Sequence, residues 1–420
     1  MTTTTFGACA PFVTQLQETK MVRLEDLSKV SAYVKAFPQR GEAELAKFLV
    51  EQKILTQFQA DAALEGTARD LVLSQFTLVD ILGVGSMGTV YKARSTSRDA
   101  WFAIKVVPRR NAVGLGSIAE KVKLLKDIRH PRVSALVHIG AQGERVYLAW
   151  PYLEGGERLD QFVQRQGKLT PRQAVQIALQ IASGLQAYHQ HGLFHGLLKP
   201  SDIVIGSDKR VRILDFGVGF LLASERGKSL LDTMTNTRTL ARGVDCASPE
   251  SLMNPLDRTP LGDQYSLGCI LYYCLAGRFP FPYENPVKKM LAHQAEKPQN
   301  IRELNRDVTP KLAAILEWMT AKKPEDRFAS TDEVVQALQA LSSPGRVTPH
   351  WTSAGAPPVS PSKSAAGKVA ATKAASVSNA TASSARTEAA EGAWGTNKAV
   401  LIGLASGATL GLVAWLLTQL

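Results

Sequence analysis

The 420-residue sequence predicts an α+β chain that is helical at its front, strand-rich after residue 75 and closed by an apolar helix. Three observations carry that reading. An alternating run, Phe76-Thr77-Leu78-Val79-Asp80-Ile81-Leu82, leads into closely spaced glycines and a second alternating run at Val90, Tyr91 and Lys92, which is strand, turn, strand by its period. Leu45, Phe48 and Leu49 mark one face of a helical stretch from Glu42 to Lys53. From Ala399 to Leu420 no charged side chain occurs.

Residues 1–75 read as a helical module, in which Thr56 and Gln59 have the spacing of a capping box ahead of Phe58 and Ala62. Such a module can regulate, recruit a partner or pack on the main domain. The first twenty residues show no charged segment followed by an apolar one, so no signal peptide is expected. An apolar fraction of 45% is ordinary for a globular protein, and the length allows two or three folded units. The net charge of +12 falls mainly on the middle of the chain, with 35 basic against 26 acidic groups between residues 76 and 342. Such a face is either solvated surface or a match for anionic lipid heads or acidic partners. Cys9, Cys246, Cys269 and Cys274 show no C-x-x-C spacing and read as free thiols of a reducing compartment.

The glycines form the pattern Gly83-x-Gly85-x-x-Gly88-x-Val90. Side-chain-free positions let a backbone fold over phosphates, but the pattern alone also fits a dinucleotide turn, which needs a helix directly after it. Here a strand continues, and Ala103-Ile104-Lys105 comes next. Further on come His195-Gly196-Leu197-Leu198-Lys199-Pro200-Ser201-Asp202, then Asp215-Phe216-Gly217 behind the apolar Val211 to Leu214, then Ser248-Pro249-Glu250. Asp263-Gln264-Tyr265-Ser266-Leu267-Gly268 and Arg327, within Lys323-Pro324-Glu325-Asp326-Arg327, complete the series.

In that order, over residues 76–341, these motifs resemble the Ser/Thr protein kinases, especially the eukaryotic-like kinases of bacteria. The resemblance implies two lobes, a small β-rich N-lobe and a larger helical C-lobe, with ATP and Mg²⁺ as cofactors. It places Leu82, Gly83, Val84, Gly85, Gly88, Val90, Ala103, Pro151, Leu153 and Val204 around the nucleotide. Val90, Ala103 and Val204 would sandwich the adenine, while the Pro151 carbonyl and the Leu153 N–H would meet its edge. Lys105 would pair the α- and β-phosphates, supported by Glu120 of helix C, and Lys199 would contact the γ-phosphate. Asp215 and Asp202 would hold the metal. A packing spine of His195, Phe216, Leu124 and Leu136 is implied, and Arg327 would pair with Glu250. Trp150 aligns with the residue behind the adenine, where an indole fills the back of the pocket or simply packs in the core. His189, His191 and His195 fall at family positions that do not ligate metal.

The departures gather around phosphoryl transfer. Leu197 stands where the family has its catalytic Asp, Gly196 where it has Arg, and Asp202 where it has Asn. Gly243 lacks the hydroxyl that the family's G-T-P segment supplies. The family spacing puts Lys121 at the helix-C glutamate position, one place from Glu120. The expectation is a pseudokinase that binds Mg-ATP as a scaffold or allosteric partner. Two alternatives stand beside it: a slow Ser/Thr kinase in which Asp202 assists the hydroxyl, and an adaptor that binds no nucleotide.

Residues 342–398, rich in Ala, Ser, Thr, Pro and Gly, read as a disordered linker. The 22 residues after it would span about 33 Å as a helix, enough for a bilayer core. Lys363, Lys368, Lys373, Arg386 and Lys398 lie upstream, which by the positive-inside tendency leaves the kinase-like domain cytoplasmic on a C-terminal anchor in the cell membrane. Gly403, Gly407 and Gly411 form a stripe of small residues suited to helix dimerisation. The protein partner or substrate is not readable, and no nucleic-acid partner is expected.

Overall fold

Alternation of burial along four strands explains how the front half of this chain is built. In the computed structural model, which describes residues 9–85, 88–108, 128–143, 145–214, 243–254 and 258–342, a six-stranded antiparallel sheet has the order β1-β2-β3-β4-β6-β5. Its strands are β1 (Val72–Leu73), β2 (Phe76–Gly85), β3 (Gly88–Ser95), β4 (Trp101–Pro108), β5 (His138–Gln142) and β6 (Arg145–Pro151). Successive side chains leave a strand on opposite faces. Phe76, Leu78, Ala93, Phe102, Ile104, Tyr147 and Ala149 bury themselves in one core. Val107, Leu148 and Trp150, of opposite parity, belong to a second core below the sheet.

The first of those cores is shared with the N-terminal module. Helices α1 (Ala10–Glu18), α2 (Leu27–Ala36), α3 (Glu42–Glu51) and α4 (Gln57–Leu64) contribute Phe12, Leu16, Val30, Leu45, Leu49 and Ala60 to the cluster that covers the sheet's outer face. Of the three roles open from sequence, packing is the one with direct contacts. At α4 the capping box forms: the Thr56 side chain accepts from the Gln59 N–H, and Gln59 Oε1 accepts from the Thr56 N–H.

The second core belongs to the helical lobe. A small sheet of β7 (Glu157–Arg158), β8 (Ile203–Ile205) and β9 (Val211–Ile213) lies among α5 (Leu159–Gln166), α6 (Pro171–His189), α7 (Pro249–Met253), α8 (Pro260–Ala276), α9 (Pro286–Ala295), α10 (Ile301–Leu304), α11 (Pro310–Met319) and α12 (Thr331–Ser342). Helix α8 is its axis. Every residue from Gly262 to Leu275 is buried, as suits a helix apolar all round. Thr259 caps its start, Pro260 opens its first turn, and Gly277 closes it in the left-handed region at φ 71°, the regular device for stopping a helix. All four cysteines are free and buried.

Glu120, Leu124, Asp215 and Phe216 lie outside the described residues, as do residues 343–420 with Gly403, Gly407 and Gly411. Among the described residues no helix is long and apolar enough to cross a membrane.

Candidate nucleotide site and catalytic loop

The cleft face of the sheet is set by strand register. Val90 pairs with Lys105 across β3 and β4, and Ala103 and Lys105 pair with Trp150 and Leu148 across β4 and β6. Cross-strand partners share a face, so Val90, Ala103, Lys105, Leu148 and Trp150 all look away from the N-terminal module. Lys105 is 4% exposed, a cation set into the floor of the sheet rather than at its rim. Leu82 and Val84 stand at the lip, 38% and 63% exposed. Val204 of β8 is buried and supplies an apolar group from the other lobe.

Gly88 is glycine for a reason that sequence alone did not give. Its φ is 146°, and a Cβ there would lie 2.1 Å from the Val106 carbonyl oxygen. The backbone of β4 passes so close that no side chain fits. Gly83 is different, since a Cβ there would meet only the Arg158 guanidinium at 3.5 Å. Arg158, with its fork on Asp160 at 2.8 and 3.0 Å, therefore sits under the glycine hairpin, a cation not marked by the motifs.

At the hinge, Tyr152 N–H donates to Trp101 O at 3.0 Å. Antiparallel ladders alternate bonded and non-bonded pairs, so the neighbouring Phe102–Pro151 pair leaves the Pro151 carbonyl directed away from β4. The Leu153 amide makes no hydrogen bond among the described residues. One acceptor and one donor, two residues apart, thus follow the end of β6. Trp150 is 3% exposed within the core, and its Nε1 has no partner among the described residues.

The loop from His195 to Asp202 is held from below by one carboxylate. Asp263, fully buried on α8, accepts from His195 N–H at 2.6 Å and Gly196 N–H at 2.7 Å, with His189 Nε2 at 3.0 Å. His189 Nδ1 in turn lies 2.6 Å from Thr331 Oγ1, so the histidine serves the frame. His195 Nε2 donates to Leu214 O at 3.0 Å, and Leu214 N–H donates to Asp202 O at 2.7 Å. These bonds fix the last described residue before Asp215 against the loop. Leu136 is buried in the same core.

Elsewhere in this loop are apolar and ion-paired side chains. Leu197 is 9% exposed and packs with the C-lobe core. Lys199 Nζ binds both oxygens of the buried Asp202, at 2.7 and 2.9 Å. Gly196 adopts φ 81°, and a Cβ there would lie 3.1 Å from Arg258 Cδ. Arg258, which sequence did not single out, occupies the space above the glycine. Burial lowers its guanidinium to about 10, and the Asp263 charge opposes that shift. Gly243 leads into the turn before α7. Farther back, Arg327 grips Glu250 with two bonds of 2.8 Å and donates to the Ala321, Leu261 and Lys322 carbonyls.

The described residues fit a purine nucleotide: apolar walls, a donor–acceptor edge, a buried lysine and a glycine hairpin. For a divalent cation they supply Asp202, held by Lys199. Residues 76–340 match the protein kinase domain family model. Over 267 residues the chain is 30% identical to the serine/threonine-protein kinase PknB of Mycolicibacterium smegmatis, covering 62% of this chain and 42% of that protein. It is 28% identical over 267 residues to the serine/threonine-protein kinase PrkC of Bacillus subtilis (63% and 40%). Over 246 residues it is 28% identical to CBL-interacting protein kinase 21 of Oryza sativa subsp. japonica (57% and 46%). The chain spans less than half the length of each of these relatives. With both lobes, the glycine hairpin and the Asp263-held loop in family order, this chain belongs to the protein kinase domain family and is similar there to bacterial serine/threonine kinases.

Proposed function

We propose that this protein binds Mg-ATP in the cleft between Val90, Ala103 and Val204 and acts as a pseudokinase, a scaffold or allosteric partner in signalling. The observation that carries this reading is Leu197. It stands at the general-base position and is turned into apolar packing, while Lys105 and the cleft walls are kept. A positioned base contributes on the order of 10²- to 10⁴-fold, or about 3–5 kcal/mol of barrier. A hydrocarbon supplies none of it. Phosphoryl transfer otherwise depends on alignment and charge neutralisation, so the nucleotide cradle can outlast the chemistry.

The alternative, a slow kinase assisted by Asp202, is opposed by the Lys199 ammonium that already occupies both carboxylate oxygens. The same carboxylate would be a metal ligand for Mg²⁺ once the lysine turns to a phosphate. Asp215 would be its partner ligand and Glu120 the partner of Lys105.

The test is calorimetry of Mg-ATP with the full chain, using Lys105→Ala as control, beside a [γ-³²P]ATP assay. Saturable binding lost in Lys105→Ala, with no transfer to itself or to a basic protein, is the expected result. Transfer abolished by Lys105→Ala would overturn the pseudokinase reading, and absence of binding would leave the adaptor.

The span 399–420, uncharged throughout, is proposed as a membrane anchor that holds the kinase-like domain at the cytoplasmic face. Its glycine stripe would be a dimer contact. Alkaline carbonate extraction of the full chain against a variant ending at residue 398 decides this. The full chain should stay with the membrane pellet and the shortened one should leave it.

A further inference from the structure

The strand that carries the glycine hairpin is irregular. Its ladder with β3 shifts register between Leu78 and Asp80 and again between Ile81 and Gly83. A bulge takes backbone groups out of the ladder, and buried backbone groups need partners elsewhere. At the first shift the partners come from the N-terminal module. Gln59 Nε2 donates to Leu78 O at 3.0 Å, and Thr56 Oγ1 donates to Val79 O. Gln59 is 4% exposed, so this amide sits inside the joint. On the next strand the Phe58 ring lies 5.9 Å from that of Tyr91, the residue beside Val90.

These two side chains have a second task. Thr56 Oγ1 also accepts from the Gln59 N–H at 3.2 Å, and Gln59 Oε1 accepts from the Thr56 N–H at 3.2 Å. The helix cap and the strand bulge therefore share their hydrogen-bonding atoms. Neither can shift without breaking the other, and Gly83 lies four residues past Val79 along the same strand.

We propose that α4 braces the glycine hairpin from the outer face of the sheet, with Gln59 and Thr56 as positioning residues for nucleotide binding. Gly83 and Val90 can line a nucleotide cleft only while their strands hold their geometry. Apparent affinity scales with the fraction of molecules in that state, so the module sets the affinity of a cleft it does not touch. This rests on the reading of the cleft as a nucleotide site.

The experiment uses the full chain at pH 8 and two different lesions. Gln59→Glu keeps the acceptor for the Thr56 N–H but cannot donate to Leu78 O as a carboxylate. Thr56→Val removes the hydroxyl. Thr56→Ser restores it, and Arg69→Ala cuts an exposed module pair with Glu18 as a control. The readouts are the Kd for Mg-ATP and amide hydrogen exchange of peptides covering residues 83–90 without ligand, with circular dichroism to establish folding.

Gln59→Glu and Thr56→Val should each bind Mg-ATP about fivefold more weakly, the effect of losing one net hydrogen bond, and should exchange faster across the hairpin. Thr56→Ser and Arg69→Ala should match the wild type in both. If either lesion leaves a folded protein with unchanged affinity and unchanged hairpin exchange, the brace is wrong. If the wild type binds no Mg-ATP, the nucleotide reading fails, and the exchange of the hairpin still decides the brace.

Discussion

Two carboxylate positions close to one loop have had opposite fates. Beneath the loop, Asp263 is completely buried and keeps the His195 and Gly196 amides and the His189 ring as partners. In the same loop, Leu197, which the resemblance aligns with the family's catalytic Asp, is packed in hydrocarbon. Burying a charge is tolerated only with several good partners, so the lower carboxylate is there for the fold. A carboxylate at residue 197 would serve transfer alone. Frame and chemistry are thus separable within a few residues, and the sharpest tests act on one side at a time.

The frame should give the largest effect. Asp263→Ala orphans two backbone N–H groups and a histidine, and an expected loss of about 4 kcal/mol takes much of the stability of an ordinary domain, about 5–15 kcal/mol. Urea unfolding of the full chain measures it. A loss below about 1 kcal/mol would mean that the loop is held from elsewhere.

Leu197→Asp acts on the other side. If the rest of the site is competent, restored transfer to a protein hydroxyl should rise by about 10²- to 10⁴-fold, read with [γ-³²P]ATP. The same change should lower stability by about 1–3 kcal/mol, because an acid replaces packed hydrocarbon. A stability loss with no gain in rate would place a second lesion in the chemistry, with Gly243 and Gly196 the first candidates.

The helical lobe also sets a pH limit, through the buried His293 of α9. Burial, with the Lys322 and Lys289 charges, holds His293 down at about 3, against an ordinary value near 6.5. The folded state keeps this ring neutral while the unfolded chain takes up a proton below pH about 6.5. Stability is therefore full above that pH and falls toward pH 3, by about 2 kcal/mol between pH 6.5 and 5. His293→Phe should flatten the slope in that interval. Glu250 adds a step at lower pH. Burial pushes its carboxyl up, but the Arg327 bonds and charge outweigh that and hold it below the usual range, so its contribution is lost as pH falls through that lowered value.

Much of this comparison was legible in the sequence, because motifs report residues tied to backbone geometry. The capping box at Thr56 announces itself by spacing and the Glu250–Arg327 pair by the family resemblance, and each is formed. The cover over the outer sheet face was not legible, since Phe12, Leu45 and Phe102 read equally well as parts of separate cores. Gly88 was marked as a phosphate-loop glycine, and the close approach of Val106 O, which no motif reports, is a further reason for it. Arg258 was invisible for another reason. Only the fold brings it over Gly196, 62 positions earlier in the chain.

That last contact gives the smallest and most diagnostic effect. Gly196 is glycine either because φ 81° excludes a side chain or because Arg258 Cδ, at 3.1 Å from the missing Cβ, has taken the space. Gly196→Ala alone should cost about 1 kcal/mol from backbone strain, plus the displacement of Arg258. Arg258→Ala removes the neighbour but leaves the dihedral unchanged. In the double variant the alanine should cost less than in the wild type, a coupling of about 0.5 kcal/mol or more in a urea double-mutant cycle. Strict additivity would assign the glycine to its dihedral alone. Coupling would show that Arg258, brought in from before α8, fills the space a side chain at residue 196 would need, while Asp263 holds the loop's amides.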